Sequence, residues 1–423
     1  MKPNSPDIKF DMATPPIRQR WFLRPITWAI SFPGTWSYHL KIRRKGVEGL
    51  KPPYLLLCTH MSFIDFKVTT AAIFPYRANY IVAIDGFIGK EWLLRNAGGI
   101  CKRKFTQDLS VIRHIKHVID NGDILALYPE ARYSLAGTTA VLPDSLGKIV
   151  RLLGVPVVVL NMHGNYLSSP CWNLQKRKVP LTADFTKILS VEETKSLPVN
   201  EINERIKKAF AYDEYQWQKE NNIRIDHEEN ARGLHKVLYQ CPSCMTEYEM
   251  DSEKNKIWCR HCGKEWMLSS LGELSAVKGE TEFSHIPDWY EFERAEVRRQ
   301  IEEGTYEVQD EVDVDTLPNA RGYINLGRGS LTHNLDGFRL DVDYPDGPLH
   351  LQKTPASMYS CHIEYNYDQR GDCIDLSTVS DTYYIYPMNL HNCVTKIALA
   401  TEELYDYGQT RKPITIQEAI VSV

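Results

Sequence analysis

Four short, mostly apolar runs punctuate the first half of the chain: Tyr54–Cys58, Tyr80–Ala83, Asp123–Tyr128 and Val155–Leu160. Between them lie segments whose apolar residues recur at helical spacing, notably Leu109–Ile119 and Leu146–Leu153. Runs that are apolar without alternation suit strands covered on both faces, as in a parallel sheet flanked by helices. The pattern therefore predicts an α/β domain with a mostly parallel sheet over residues 46–212. In such folds reactive side chains gather where strands end and helices begin.

A second constraint comes from Cys241-Pro242-Ser243-Cys244 and Cys259-Arg260-His261-Cys262. Each pair offers two thiolates on a tight turn, and the two turns together complete a tetrahedral set for Zn²⁺. Four sulfurs leave no open position for a substrate, so a small zinc ribbon over residues 241–270 is expected, with a structural metal and His261 as a bystander. The ten cysteines, with no secretory pattern at the N-terminus, point to a reducing cytoplasmic setting rather than to disulfides.

A chain of 423 residues calls for more than one domain. With 43% hydrophobic and 25% charged residues it has the composition of a soluble globular protein. A net charge of −4 gives no general signal for nucleic acid. The ribbon does not supply one either, because Glu247, Glu249, Asp251 and Glu253 offset Lys254, Lys256, Arg260 and Lys264. No nucleic-acid partner is expected.

The remaining segments differ in character. Residues 1–45 read as a proline-containing leader followed by an aromatic segment with Trp21, Phe22, Trp28, Phe32, Trp36 and Tyr38, flanked by arginine and lysine. The uncharged stretch is shorter than the about 20 apolar residues a spanning helix needs. It suits a segment lying in a membrane interface, which would place the protein peripherally on the inner face; the alternative is that the aromatics cover the core of the next domain. Residues 213–240 read as an exposed linker helix. Residues 285–423 begin with a helix at Trp289–Glu303, then become turn-rich and alternating; the expectation is a β-rich domain, a sandwich or small barrel, ending in a helix near His391–Ala400.

The first strand runs directly into Thr59-His60-Met61-Ser62-Phe63-Ile64-Asp65. Five residues turn about 500° on a helix, so His60 and Asp65 meet only if His60 lies in the turn and Asp65 in the first helical turn. His60 is then a general base whose tautomer Asp65 fixes. The structural alternative is a capping box, with Ser62 as cap and Asp65 closing it. Three further stretches follow: Gly98-Gly99-Ile100-Cys101-Lys102-Arg103-Lys104, Tyr128-Pro129-Glu130-Ala131-Arg132-Tyr133-Ser134, and Val155-Pro156-Val157-Val158-Val159-Leu160.

Taken together and in this order, the four blocks resemble the glycerolipid acyltransferase family, the group that includes the 1-acylglycerol-3-phosphate acyltransferases. Its pattern is a His-x4-Asp turn, a Gly-x-Ile segment leading to arginine, Phe-Pro-Glu-Gly-Thr-Arg-Ser, and an apolar strand with proline. The resemblance spans residues 45–190. It departs at Thr59, at Tyr128, and at Ala131-Arg132-Tyr133, where the arginine is shifted by one place. It implies transfer of a fatty acyl group from acyl-CoA or acyl carrier protein to the hydroxyl of lysophosphatidic acid, in phospholipid biosynthesis. His60 and Asp65 are then catalytic, Arg103, Lys104 and Arg132 clamp the acceptor phosphate, and Glu130 bonds a glycerol hydroxyl or an arginine. Glycerol 3-phosphate or another lysolipid is the alternative acceptor. A different class of reading is a zinc-ribbon adaptor whose α/β domain lacks activity.

Overall fold

The computed structural model describes residues 4–344 and 347–410. Its first half is a seven-stranded sheet made of β1 (Lys41–Lys45), β2 (Tyr54–Cys58), β3 (Ala78–Ala83), β4 (Gly99–Lys102), β5 (Ile124–Leu127), β6 (Val157–His163) and β7 (Thr182–Leu189). The order across the sheet is β1-β7-β6-β2-β5-β3-β4. Neighbours from β6 to β4 run parallel, while β7 is antiparallel to β6 and carries β1 parallel to itself. All five side chains of β2 are buried, as are the first six of β6, because helices cover both faces.

Two expectations for the flanks need correction. Lys41–Lys45 does not belong to a leader: it pairs with Thr182–Thr186 as an edge strand, where exposed charges discourage further strand addition. Nor is the segment before it loose. Phe10 is buried against Phe87, its N–H donates to Pro318 O, and Arg18 pairs with Asp123. The helix α1 (Leu23–Ser37) then packs near α2 (Asp65–Ile73) through Trp28 and Phe32, whose rings meet Phe74 just past the end of α2.

Residues 213–240, expected as an exposed linker helix, contain the short helix Glu214–Glu220 and a 3-10 turn at Leu234–Lys236; the middle of the segment is exposed, while its last third enters the core. Leu234, Val237, Leu238 and Tyr239 are fully buried. The ribbon that follows is a four-stranded antiparallel sheet. The C-terminal domain is neither a sandwich nor a barrel. One seven-stranded antiparallel sheet packs against the helices Ile286–Glu302 and Val394–Thr410. Alternation along Glu307–Thr316, with every second residue buried at first, reflects that one-sided cover.

A single apolar core joins these parts. It runs from Met61, Phe105 and Tyr166 through Cys241, Cys259 and Trp266 to Val312, Ile374, Ile397 and Leu404. The C-terminal domain is thus fused to the carboxyl edge of the first sheet.

Candidate active site

Parallel strands put their carboxyl ends on one edge, and that edge collects the motif residues. β2 ends at Cys58 and leads to His60; its neighbour β5 leads to Tyr128–Ser134; its other neighbour β6 leads to Asn165. His60 lies in the turn and Asp65 opens α2, the one arrangement in which they can meet. His60 Nδ1 lies 3.1 Å from Asp65 Oδ2. Because a carboxylate only accepts, Nδ1 carries the proton and the Nε2 lone pair is left for a substrate. Nε2 has no hydrogen-bond partner among the described residues.

Asp65 is held from several sides. Oδ2 also accepts from the N–H of Met61 at 2.7 Å and of Ser62 at 3.0 Å, and Oδ1 accepts from Asn165 Nδ2 at 2.8 Å. Only half of the capping box forms: Asp65 accepts from the Ser62 N–H, but the Ser62 hydroxyl donates to Asn165 O instead of capping α2. Asn165 had no signal of its own in the sequence beyond following a buried strand, since its partner lies a hundred positions away.

The ring of His60 stands between Tyr128 and Tyr133, with centroids 4.5 and 4.4 Å away. Tyr128 is fixed by a hydrogen bond between its hydroxyl and Thr69 Oγ1. The His60 side chain is a quarter exposed, so the ring is walled but reachable. Ala131 takes φ +56°, a left-handed conformation that costs a residue with Cβ about 1–2 kcal/mol and that the glycine of the family pattern would adopt freely.

Glu130 was expected to face the acceptor or an arginine. It is buried, and it braces the His60 turn: Oε2 accepts from His60 N–H at 2.7 Å, while Oε1 accepts from Ala140 N–H and the Tyr212 hydroxyl. Burial raises its pKa to about 7 in spite of those donors.

The three expected cations lie elsewhere than in an open clamp. Arg103 is 2% exposed and donates to Leu317 O, Pro318 O and Thr382 Oγ1. Arg132 is 4% exposed and pairs with Glu402 at 2.5 Å. Lys104 Nζ contacts His362 Nε2 at 2.8 Å and lies 3.7 Å from Asp375. All these partners belong to the C-terminal domain, over two hundred residues away in sequence. Removing one member of a buried pair such as Arg132–Glu402 costs about 3–5 kcal/mol, because the other charge is then left buried and uncompensated.

Residues 40–163 match the family described as Acyltransferase, well under half of the chain. That region is an acyltransferase domain. It contains the His60–Asp65 turn and all four motif blocks. The 1-acyl-sn-glycerophosphate (LPA) acyltransferase PlsC from Thermotoga maritima is similar among solved structures, at 16% identity and a TM-score of 0.36, over 45% of this chain and 79% of that one. This likeness is too loose to decide fold or reaction. No curated protein matches the chain.

Within the acyltransferase domain, Asp65→Asn is expected to keep the fold. Asn165 Oδ1 has no partner, so its amide can turn and accept from the new NH₂. If His60 serves as the base, the imidazolium it forms would lose its counter-charge. The expected result is a kcat lower by about 10²-fold or more. An unchanged kcat would show that Asp65 does not act on the reacting imidazole.

The ribbon cysteines form a second site. The sulfurs of Cys241, Cys244, Cys259 and Cys262 all lie within 4.8 Å of one another, with Cys241–Cys262 at 3.8 Å and Cys244–Cys259 at 3.7 Å. Sulfurs about 2.3 Å from a tetrahedral zinc stand about 3.8 Å apart, so the four residues fit the metal.

Proposed function

We propose that this protein is an O-acyltransferase in which His60 deprotonates an acceptor hydroxyl as it attacks an acyl thioester. The observation that carries the reading is the His60 Nδ1–Asp65 Oδ2 pair, held by three further donors at the carboxyl edge of the sheet, with Nε2 unpartnered among the described residues. A hydroxyl is a poor nucleophile near neutral pH, and an imidazole with a fixed tautomer relieves that. The new C–O bond forms as the proton passes to Nε2; the C–S bond then breaks, and the departing thiolate takes that proton. Neither Ser62 nor a cysteine is needed as a covalent carrier, since the Ser62 hydroxyl is engaged with Asn165 O.

The donor is acyl-CoA or acyl carrier protein. The motif order leads one to expect lysophosphatidic acid as acceptor, with glycerol 3-phosphate or another lysolipid as alternatives, and the step at His60 is the same for each hydroxyl. The test is incubation with labelled acyl-CoA or labelled acyl carrier protein and a lysolipid, followed by product analysis. A labelled ester supports the reading; free fatty acid alone would make the protein a thioester hydrolase instead.

The proposal extends to a peripheral membrane position. No helix of the described residues is long and apolar enough to cross a membrane. Trp21 is 77% and Trp36 69% exposed at the two ends of α1, with Ile26 and Ile30 exposed between them. Phe63 is 81% exposed three residues from His60. Aromatic and aliphatic side chains in this number, flanked by basic residues, favour the headgroup layer. Trp21→Ala with Trp36→Ala is expected to weaken flotation with lipid vesicles severalfold; equal flotation of variant and parent would remove the membrane role. For the ribbon we propose one bound Zn²⁺, which would hold the two cysteine turns together and take no part in acyl transfer.

A further inference from the structure

The three basic residues expected to seat a phosphorylated acceptor are each held from one side, although Arg103 Nε and Arg132 Nε and Nη1 have no partner. The C-terminal domain supplies two backbone carbonyls and a hydroxyl to Arg103, Glu402 to Arg132, and His362 with Asp375 to Lys104. Glu402 is itself tied to the Ser360 hydroxyl and to Arg294. His362 Nδ1 approaches Asp375 Oδ2 to 2.6 Å, though not in hydrogen-bond alignment. A swinging cap could release the cations, but this domain shares a continuous apolar core with the acyltransferase domain. Withdrawing it would expose that core to water.

What surrounds Lys104 is acidic. Burial works against the Lys104 ammonium, yet Asp85, Asp375 and Glu364 lie close enough to hold its pKa above the usual lysine value. Asp85 and Glu364 also act on Tyr133, whose ring is 4.4 Å from that of His60. One lysine thus stands among three carboxylates, and a phosphate dianion brought there meets like charge.

We infer that the acceptor presented to His60 carries no phosphomonoester, because the C-terminal domain holds the three cations that would seat one; the substrate class is a neutral or cationic hydroxyl acceptor. The inference rests on the acyl-transfer reading and narrows it. It also assigns the C-terminal domain a task, setting acceptor specificity by engaging the cations at Arg103, Lys104 and Arg132.

The experiment compares a short-chain monoacylglycerol with its phosphomonoester, lysophosphatidic acid of the same chain, using the full-length protein and one acyl-CoA. The uncharged acceptor is expected to have a kcat/KM at least about tenfold higher, and to bind more tightly by calorimetry. A preference for the phosphorylated compound, in turnover or in binding, overturns the inference. In the variant Asp375→Asn, which removes one of the three carboxylates acting on Lys104 while its contact to His362 stays, the ratio should move about tenfold toward the phosphorylated acceptor; an unmoved ratio in a folded variant counts against it. If neither compound is acylated, the acyl-transfer reading fails, while the order of the two binding constants still decides the acceptor class.

Discussion

His60→Ala is expected to reduce acyl transfer by about 10²–10⁴-fold, the usual worth of a positioned general base. The loss should fall on kcat, because the imidazole takes up a proton only as the hydroxyl attacks. The fold should survive. The ring bonds only to Asp65, which keeps its three other donors from Met61, Ser62 and Asn165, and the His60 N–H that Glu130 holds is main chain. Melting temperature and zinc content should therefore match the parent. A variant that turns over at the parental rate would end the general-base assignment, and a parent equally inactive would favour the adaptor reading.

Loss of the ribbon metal is expected to be the most destabilising change. Structural zinc binds with about 10–16 kcal/mol in small modules, as much as the whole stability of a typical domain. Cys241 and Cys259 are fully buried in the core that also holds Trp266, Val312 and Ile397. Trp266 packs edge-on against Trp289 of the helix Ile286–Glu302, which carries Arg294 to Glu402. Without metal the ribbon would loosen and the C-terminal domain with it. Cys259→Ser, or prolonged exposure to a strong chelator, should lower the melting temperature by ten degrees or more, on the order of what a loss of several kcal/mol produces in domains of this size. Metal analysis should give one zinc per chain in the parent. A metal-free parent with the same melting behaviour would contradict the assignment.

Local chemistry was legible in the sequence where one element carried it. The spacing over Leu146–Leu153 predicts the helix found there, and the apolar run Tyr54–Cys58 is a buried strand with the same bounds. His60 and Asp65 could be brought together from helix geometry alone, because both lie within one turn of chain. Arg103, Arg132 and Glu130 show the opposite case. A positive or negative side chain at the end of a strand looks free in the sequence, and nothing local reveals that Glu402, Leu317 or Tyr212 closes on it from elsewhere. The same limit hid Asn165, and it made the last third of residues 213–240 look exposed when it enters the core. Polar residues in a linker and polar residues that satisfy a buried backbone have the same composition; only long-range packing separates them.

The C-terminal sheet was legible in its alternation but not in its layering. Alternation shows that one face is covered, not whether a second sheet or a pair of helices covers it. Here the helices Ile286–Glu302 and Val394–Thr410 do so, and their charged residues, Arg294 and Glu402 among them, form the network that reaches Arg132.

The measurement that bears most directly on the central claim is thiol release from acyl-CoA by the purified protein, followed with and without a hydroxyl acceptor across pH. The account predicts release that depends on the acceptor and disappears in His60→Ala. Thiol release that ignores the acceptor, or that persists in His60→Ala with the same pH profile, would contradict it.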